Sequence, residues 1–125
     1  GTLYLAWKSG IGKINTSTGV TTLWVGANSA TGFVDGNATD ARFSYIMALS
    51  ADTEGNLYAT DRDNFRIRKV TPTGVVSTFA GNGISSTIDG AISQATFTRP
   101  IGISVGSTNI YVVDGGNASR MRKIE

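Results

Sequence analysis

A repeat of about 54 residues, each unit holding four short apolar runs, predicts an all-β array of propeller blades. The composition points the same way. The chain has 16 Gly, 12 Ser and 16 Thr, with 40% hydrophobic and only 16% charged residues. Gly, Thr, Val and Ile at the expense of Leu, Lys and Glu favour strands and tight turns over helices. The expected architecture is about two and a half four-stranded antiparallel meanders, not closed by this chain alone.

The repeat is visible position by position. Leu3-Tyr4, Leu57-Tyr58 and Ile110-Tyr111 lie 54 and 53 residues apart. Lys13-Ile14, Lys69-Val70 and Lys123-Ile124 follow in step, as do Asp35-Gly36 with Asp89-Gly90 and Ala41-Arg42-Phe43 with Ala95-Thr96-Phe97. In the middle unit the apolar runs are Ile46 to Ser50, Asn56 to Thr60, Arg66 to Val70 and Val75 to Ala80. Glu54-Gly55-Asn56, Asp61 to Asn64 and Thr71-Pro72-Thr73-Gly74 separate them as turns. The longer stretch from Gly81 to Pro100 links one meander to the next.

The units divide the chain into residues 1–44, a blade without its inner strand; 45–98, a complete blade; and 99–125, a blade without its outer strand. The first run, Thr2 to Trp7, corresponds to a second strand, and the last, Arg120 to Glu125, to a third.

These residues carry a family resemblance. The middle unit reads Ala41-Arg42-Phe43, Gly55-Asn56-Leu57-Tyr58-Ala59-Thr60-Asp61, Asn64-Phe65-Arg66-Ile67-Arg68-Lys69 and Val76-Ser77-Thr78-Phe79-Ala80-Gly81. The third unit has Ala95-Thr96-Phe97-Thr98-Arg99-Pro100, Tyr111-Val112-Val113-Asp114 and Arg120-Met121-Arg122-Lys123. The pattern resembles the NHL repeat over nearly the whole chain. Three departures stand out: Ile46 replaces the Pro seen at Pro100, Trp7 replaces the strand-end Asp, and Gly10-Ile11-Gly12 replaces the Arg-x-Arg pair.

The resemblance implies a ring of at least four blades, usually six; at this period four need about 216 residues. Two completions are expected as alternatives. The blades join the remaining blades of a longer chain, or other copies of the chain associate into a ring or fibre.

Composition excludes most catalysis. With no His and no Cys, there is no Ser-His-Asp triad, thiolate nucleophile, disulfide, or His- or Cys-ligated metal. Within the resemblance, amidating lyases use a His-rich metal site and lactonases use inward-facing carboxylates. Here the inner runs read Ile46-Met47-Ala48-Leu49 and Ile101-Gly102-Ile103. No catalytic residue, metal or cofactor is expected. Asp61 and Asp114, at one repeat interval, read as structural turn aspartates, as do Asp35 and Asp89 before Gly36 and Gly90. Asp35 to Asp40 alternates oxygen ligands but lacks the Gly and Glu of an EF-hand loop.

Some NHL propellers bind RNA through a basic surface. Arg66, Arg68, Lys69, Arg120, Arg122 and Lys123 would be the candidates. A net charge of only +2 and the absence of interleaved aromatics argue against a nucleic-acid partner. The expected pairing is with the aspartates that recur in step. No apolar run is long enough for a membrane span. Trp7 and Trp24 read as packing residues, Trp24 aligning with Phe79. Asn37, Asn15 and Asn117 head glycosylation triplets in expected turns or links. The reading is a non-catalytic, secreted structural or interaction module with a protein, glycan or second copy as ligand. Its alternative is a segment of a larger ligand-binding or enzymatic propeller.

Overall fold

A computed structural model describes residues 2–116 and 119–125. Eleven strands form three antiparallel sheets. The first sheet contains β1 (Leu3–Trp7), β2 (Gly10–Ile14) and β3 (Thr21–Gly26) in that order. The second contains β5 (Ile46–Ala51), β6 (Leu57–Asp61), β7 (Arg66–Val70) and β8 (Val75–Ala80), with β4 (Gly36–Asn37) outside β8. The third contains β9 (Pro100–Val105), β10 (Ile110–Asp114) and β11 (Arg120–Ile124). The meander connectivity and near absence of helix are those of propeller blades not closed into a ring.

The middle blade has one strand more than the sequence predicts. Gly36 and Asn37 pair with Val76 and Val75, so the link from the first blade adds a short fifth strand to the second. A β-bridge between Val34 and Arg42 folds that link back on itself.

Two apolar clusters hold the blades face to face. Ile11 and Val25 of the first blade meet Ala41 and Phe43, which lead into the second, together with Ile46, Leu57 and Val70. Ile67 and Ala80 of the second blade meet Ala95, Phe97, Ile110 and Val112. The Ala-x-Phe tripeptide therefore plugs the gap between successive blades, and both Phe rings are fully buried. Each buried Phe contributes on the order of 2–3 kcal/mol. The recurring Tyr supports the outer strand. Tyr4 lies 5.2 Å from Trp24, and Tyr58 meets Phe79 edge-on at 5.0 Å. Trp24 thus packs within its blade. Trp7, at the strand-end Asp position, donates its indole N–H to the Ala27 carbonyl at 3.1 Å.

Candidate functional site

Strand alternation sends Arg66 and Arg68 to one side of β7 and Ile67 to the other. Arg68 is driven inward. Its Nη1 donates to Asp61 Oδ2 at 2.7 Å and to the Arg42 carbonyl at 2.9 Å. Its Nη2 donates to Asp35 Oδ1 at 2.7 Å and to the Val34 carbonyl at 2.9 Å. The guanidinium also lies 4.8 Å from the Phe33 ring centroid and 4.9 Å from that of Phe43.

The third blade repeats the arrangement. Arg122 Nε donates to Asp89 Oδ1 at 2.7 Å, and Nη1 lies 3.2 Å from Asp114 Oδ2. Nη1 and Nη2 also donate to the carbonyls of Thr96 and Ile88. Every partner lies 53 or 54 positions beyond its counterpart around Arg68. The residues that a catalytic reading would single out are thus joined in two internal clamps.

The aspartates carry further bonds. Asp61 Oδ1 accepts the Ser44 N–H at 2.7 Å and Oδ2 accepts Asn64 Nδ2 at 2.8 Å. Asp114 Oδ1 accepts the N–H groups of Thr98 and Arg99 at 3.1 and 2.6 Å. Asp35 accepts Thr78 N and Oγ1 rather than bonding its own turn. Burial pushes the Asp61 carboxyl above the ordinary aspartate value, while bonds from Asn64, Ser44 and Arg68 act in the opposite direction. Gly36 and Gly90 follow Asp35 and Asp89 at φ +151° and +145°, a region that essentially only glycine enters.

The basic residues do not share one surface. Arg68 and Arg122 are buried. Arg66 lies 3.7 Å from the Phe33 ring and donates to the Asn64 and Asn82 carbonyls. Lys69 and Lys123 pair with Tyr58 and Tyr111 at the opposite ends of their strands. Among the described residues no group of three or more His, Cys, Asp or Glu could hold a metal ion. The loop from Asp35 to Asp40 turns Asp35 toward Arg68 and Thr78, not toward a shared centre. No helix in the described residues is long and apolar enough to cross a membrane.

One cluster escapes the sequence reading. Tyr45 adopts φ +61°, strained for an aromatic residue, and donates its N–H to the Lys8 carbonyl at 2.6 Å. Its ring lies 4.8 Å from Lys8 Nζ and 4.2 Å from the Arg62 guanidinium. Arg62 also contacts Met47 Sδ and pairs with Asp63 at 2.6 Å. The signal was Ile46. A proline there would bias the preceding residue toward extended backbone. Ile46 leaves Tyr45 free to turn over the junction of the first two blades.

The glycosylation candidates differ. Asn15 is exposed, but its Oδ1 accepts Ser17 N and Thr18 N at 3.0 and 3.1 Å. Asn37 is exposed on β4, with no side-chain bond to the adjacent 3-10 turn. Asn117 lies outside the described residues.

No protein-family model matches the chain. NHL repeat-containing protein 2 of Bos taurus is 34% identical over 93 residues, covering 70% of this chain and 13% of the bovine protein. A solved Bacteroides thetaiotaomicron protein of unknown function superposes with a TM-score of 0.88 at 27% identity, covering 98% of this chain and 32% of that one. An auxiliary nutrient binding protein of the same organism gives 0.83 at 28% identity, covering 98% and 34%. The chain therefore spans a small part of its curated relative and about a third of each solved neighbour. The sequence repeat, the blades and these likenesses identify the chain as a run of blades of the NHL-repeat β-propeller family.

Proposed function

We propose that these blades form a non-catalytic, extracellular interaction scaffold within a propeller completed by further blades. The observation that carries this reading is the pair of internal clamps. Asp61, Asp35 and Arg68, with Asp114, Asp89 and Arg122, use their hydrogen bonds to lock links onto sheets. What remains for recognition is loop surface, including the group around Tyr45. Loop surfaces on a rigid frame are where propellers and other repeat folds carry binding. The exposed triplets at Asn37 and Asn15 favour the secretory route.

A second reading is a segment of a larger ligand-binding propeller. The likeness to an auxiliary nutrient binding protein favours it.

Sedimentation and intact mass of native material test both readings. A single chain above about 200 residues that sediments as a monomer assigns closure to the chain itself. Ordered assemblies of a ~13 kDa chain assign it to further copies. Loss of mass on deglycosylation supports the extracellular placement, and its absence at both Asn37 and Asn15 removes that support. Turnover abolished by substituting a surface residue without loss of fold would defeat the non-catalytic reading.

A further inference from the structure

We propose that Asn82 is a self-modification site: its side-chain amide is lost to attack by the Gly83 backbone nitrogen, and a carboxylate takes its place beside Arg66. The only reactant from outside is water.

Asn82-Gly83 is the single Asn-Gly step among the eight asparagines of the chain. It lies on the link between β8 and β9, inside the described blades. Asn82 is exposed. Gly83 sits at φ +85° and has no Cβ to shield its nitrogen. Among the described residues no backbone acceptor holds the Gly83 N–H.

Two contacts polarise the reacting groups. Arg66 Nη2 donates to the Asn82 carbonyl at 3.0 Å. That carbonyl and the Gly83 nitrogen belong to one resonant peptide unit, so the guanidinium draws electron density from the nucleophile and eases loss of its proton. Asn82 Oδ1 accepts the Ile84 N–H at 2.9 Å. Attack at Cγ gathers negative charge on that oxygen, where a donor is already in place. The same bond curls the side chain back over the Gly83 peptide. Arg66 itself is fixed. It donates to the Asn64 carbonyl at 3.0 Å and packs 3.7 Å from the Phe33 ring centroid. A Cβ at Gly83 would collide with its guanidinium.

The step balances. The Gly83 nitrogen gives up its proton and bonds to Asn82 Cγ. The Cγ–Nδ2 bond breaks, and the amide departs with that proton as ammonia. The cyclic imide then takes up one water. Opening at Cγ gives aspartate; opening at the main-chain carbonyl gives isoaspartate. Neither stage is a redox step. The product suits its surroundings. Among the described residues Arg66 makes no ion pair with a carboxylate. Burial, and then the Arg68 charge, press its guanidinium below the usual value. An anion at residue 82 offsets both and lowers the formal charge of +2 by one.

Ageing of the 125-residue chain at neutral pH, followed by fragmentation mass spectrometry and by enzymatic methylation of isoaspartate, tests this. Amide loss is expected at Asn82 ahead of every other asparagine, and several times faster than in an isolated peptide of residues 78–87. Arg66→Gln should slow it about tenfold, and Arg66→Lys should recover part of the rate. Ile84→Pro removes the donor to Oδ1 at an exposed position and should slow it as well. That variant keeps the test falsifiable should Arg66→Gln disturb the link, and circular dichroism verifies each fold. Asn82→Asp should raise the unfolding temperature in the parent chain but not in Arg66→Gln. Amide loss no faster in the chain than in the peptide, or indifferent to both Arg66→Gln and Ile84→Pro, overturns the proposal. So does an intact Asn82 after other asparagines have converted. An Asn82→Asp chain no more stable than the parent overturns the pairing with Arg66.

Discussion

Arg68 Nη1 lies 2.7 Å from Asp61 Oδ2 with both side chains fully shielded from solvent. Breaking a buried pair from one side leaves an uncompensated charge, and costs about 3–5 kcal/mol. Arg68→Met should lower the unfolding free energy by that amount, read as a fall in the urea midpoint at unchanged m. Arg122→Met should cost clearly less, because Asp89 is more exposed to water than Asp35. Equal losses at the two sites would show that solvent access to the second aspartate does not set the cost.

Restoring the family's proline should harm this chain. Ile46→Pro biases Tyr45 out of its left-handed conformation and removes the Ile46 N–H that faces the Lys8 carbonyl at 3.4 Å. The expected loss exceeds about 1 kcal/mol. The side-chain resonances of Lys8 and Arg62 should lose the ring-current shift that the Tyr45 ring imposes on them. A stabilised variant with those resonances unmoved would refute the account of Tyr45.

Gly36→Ala and Gly90→Ala test backbone conformation separately from crowding. A methyl group at Gly36 or Gly90 would meet nothing closer than 3.7 Å, so any cost comes from the positive φ. About 1–3 kcal/mol is expected at each site by thermal or urea unfolding. Neutral substitutions would mean that the link relaxes freely at these points.

Asp52 provides a pH signature. Slight burial opposes ionisation, but bonds from Asn56, the Glu54 N–H and Tyr58 outweigh it and hold the carboxyl below the ordinary aspartate value. A depressed folded value means that the unfolded chain binds the proton more readily. The contribution is therefore present above the unfolded value and lost as pH falls through the folded one. Asp52→Asn should flatten the acid limb of stability against pH, and should bring down the Tyr58 hydroxyl, which burial and then the Asp52 charge raise. An unchanged acid limb together with an unchanged Tyr58 titration would contradict this.

The strands of the middle blade were legible because apolar alternation and turn residues agree along the repeat; β7 and β8 match the expected runs at both ends. β4 was not, since Gly36 and Asn37 have turn composition and pair only because the link is pulled onto Val75 and Val76. Recurrence placed Arg68 and Asp61 in step, but only tertiary placement shows that Asp35 closes the same guanidinium across 33 positions. Tyr45 was least legible. Intrinsic preference argues against its backbone conformation, and the contacts that hold it come from Lys8 in the preceding blade.

The link that clasps Arg68 changes where the protein can be cut. Severing the chain between residues 44 and 45, at the repeat boundary, would separate Arg68 from Val34, Asp35 and Arg42, and Asn64 from the Gly32 carbonyl 2.8 Å away. It would also strip Phe43 from the face it plugs. A piece that keeps the clamp, the Asn64 bond and the Phe43 plug therefore includes Gly32. The repeat in sequence and the packed unit are offset, so the second and third blades are each finished with residues that precede them.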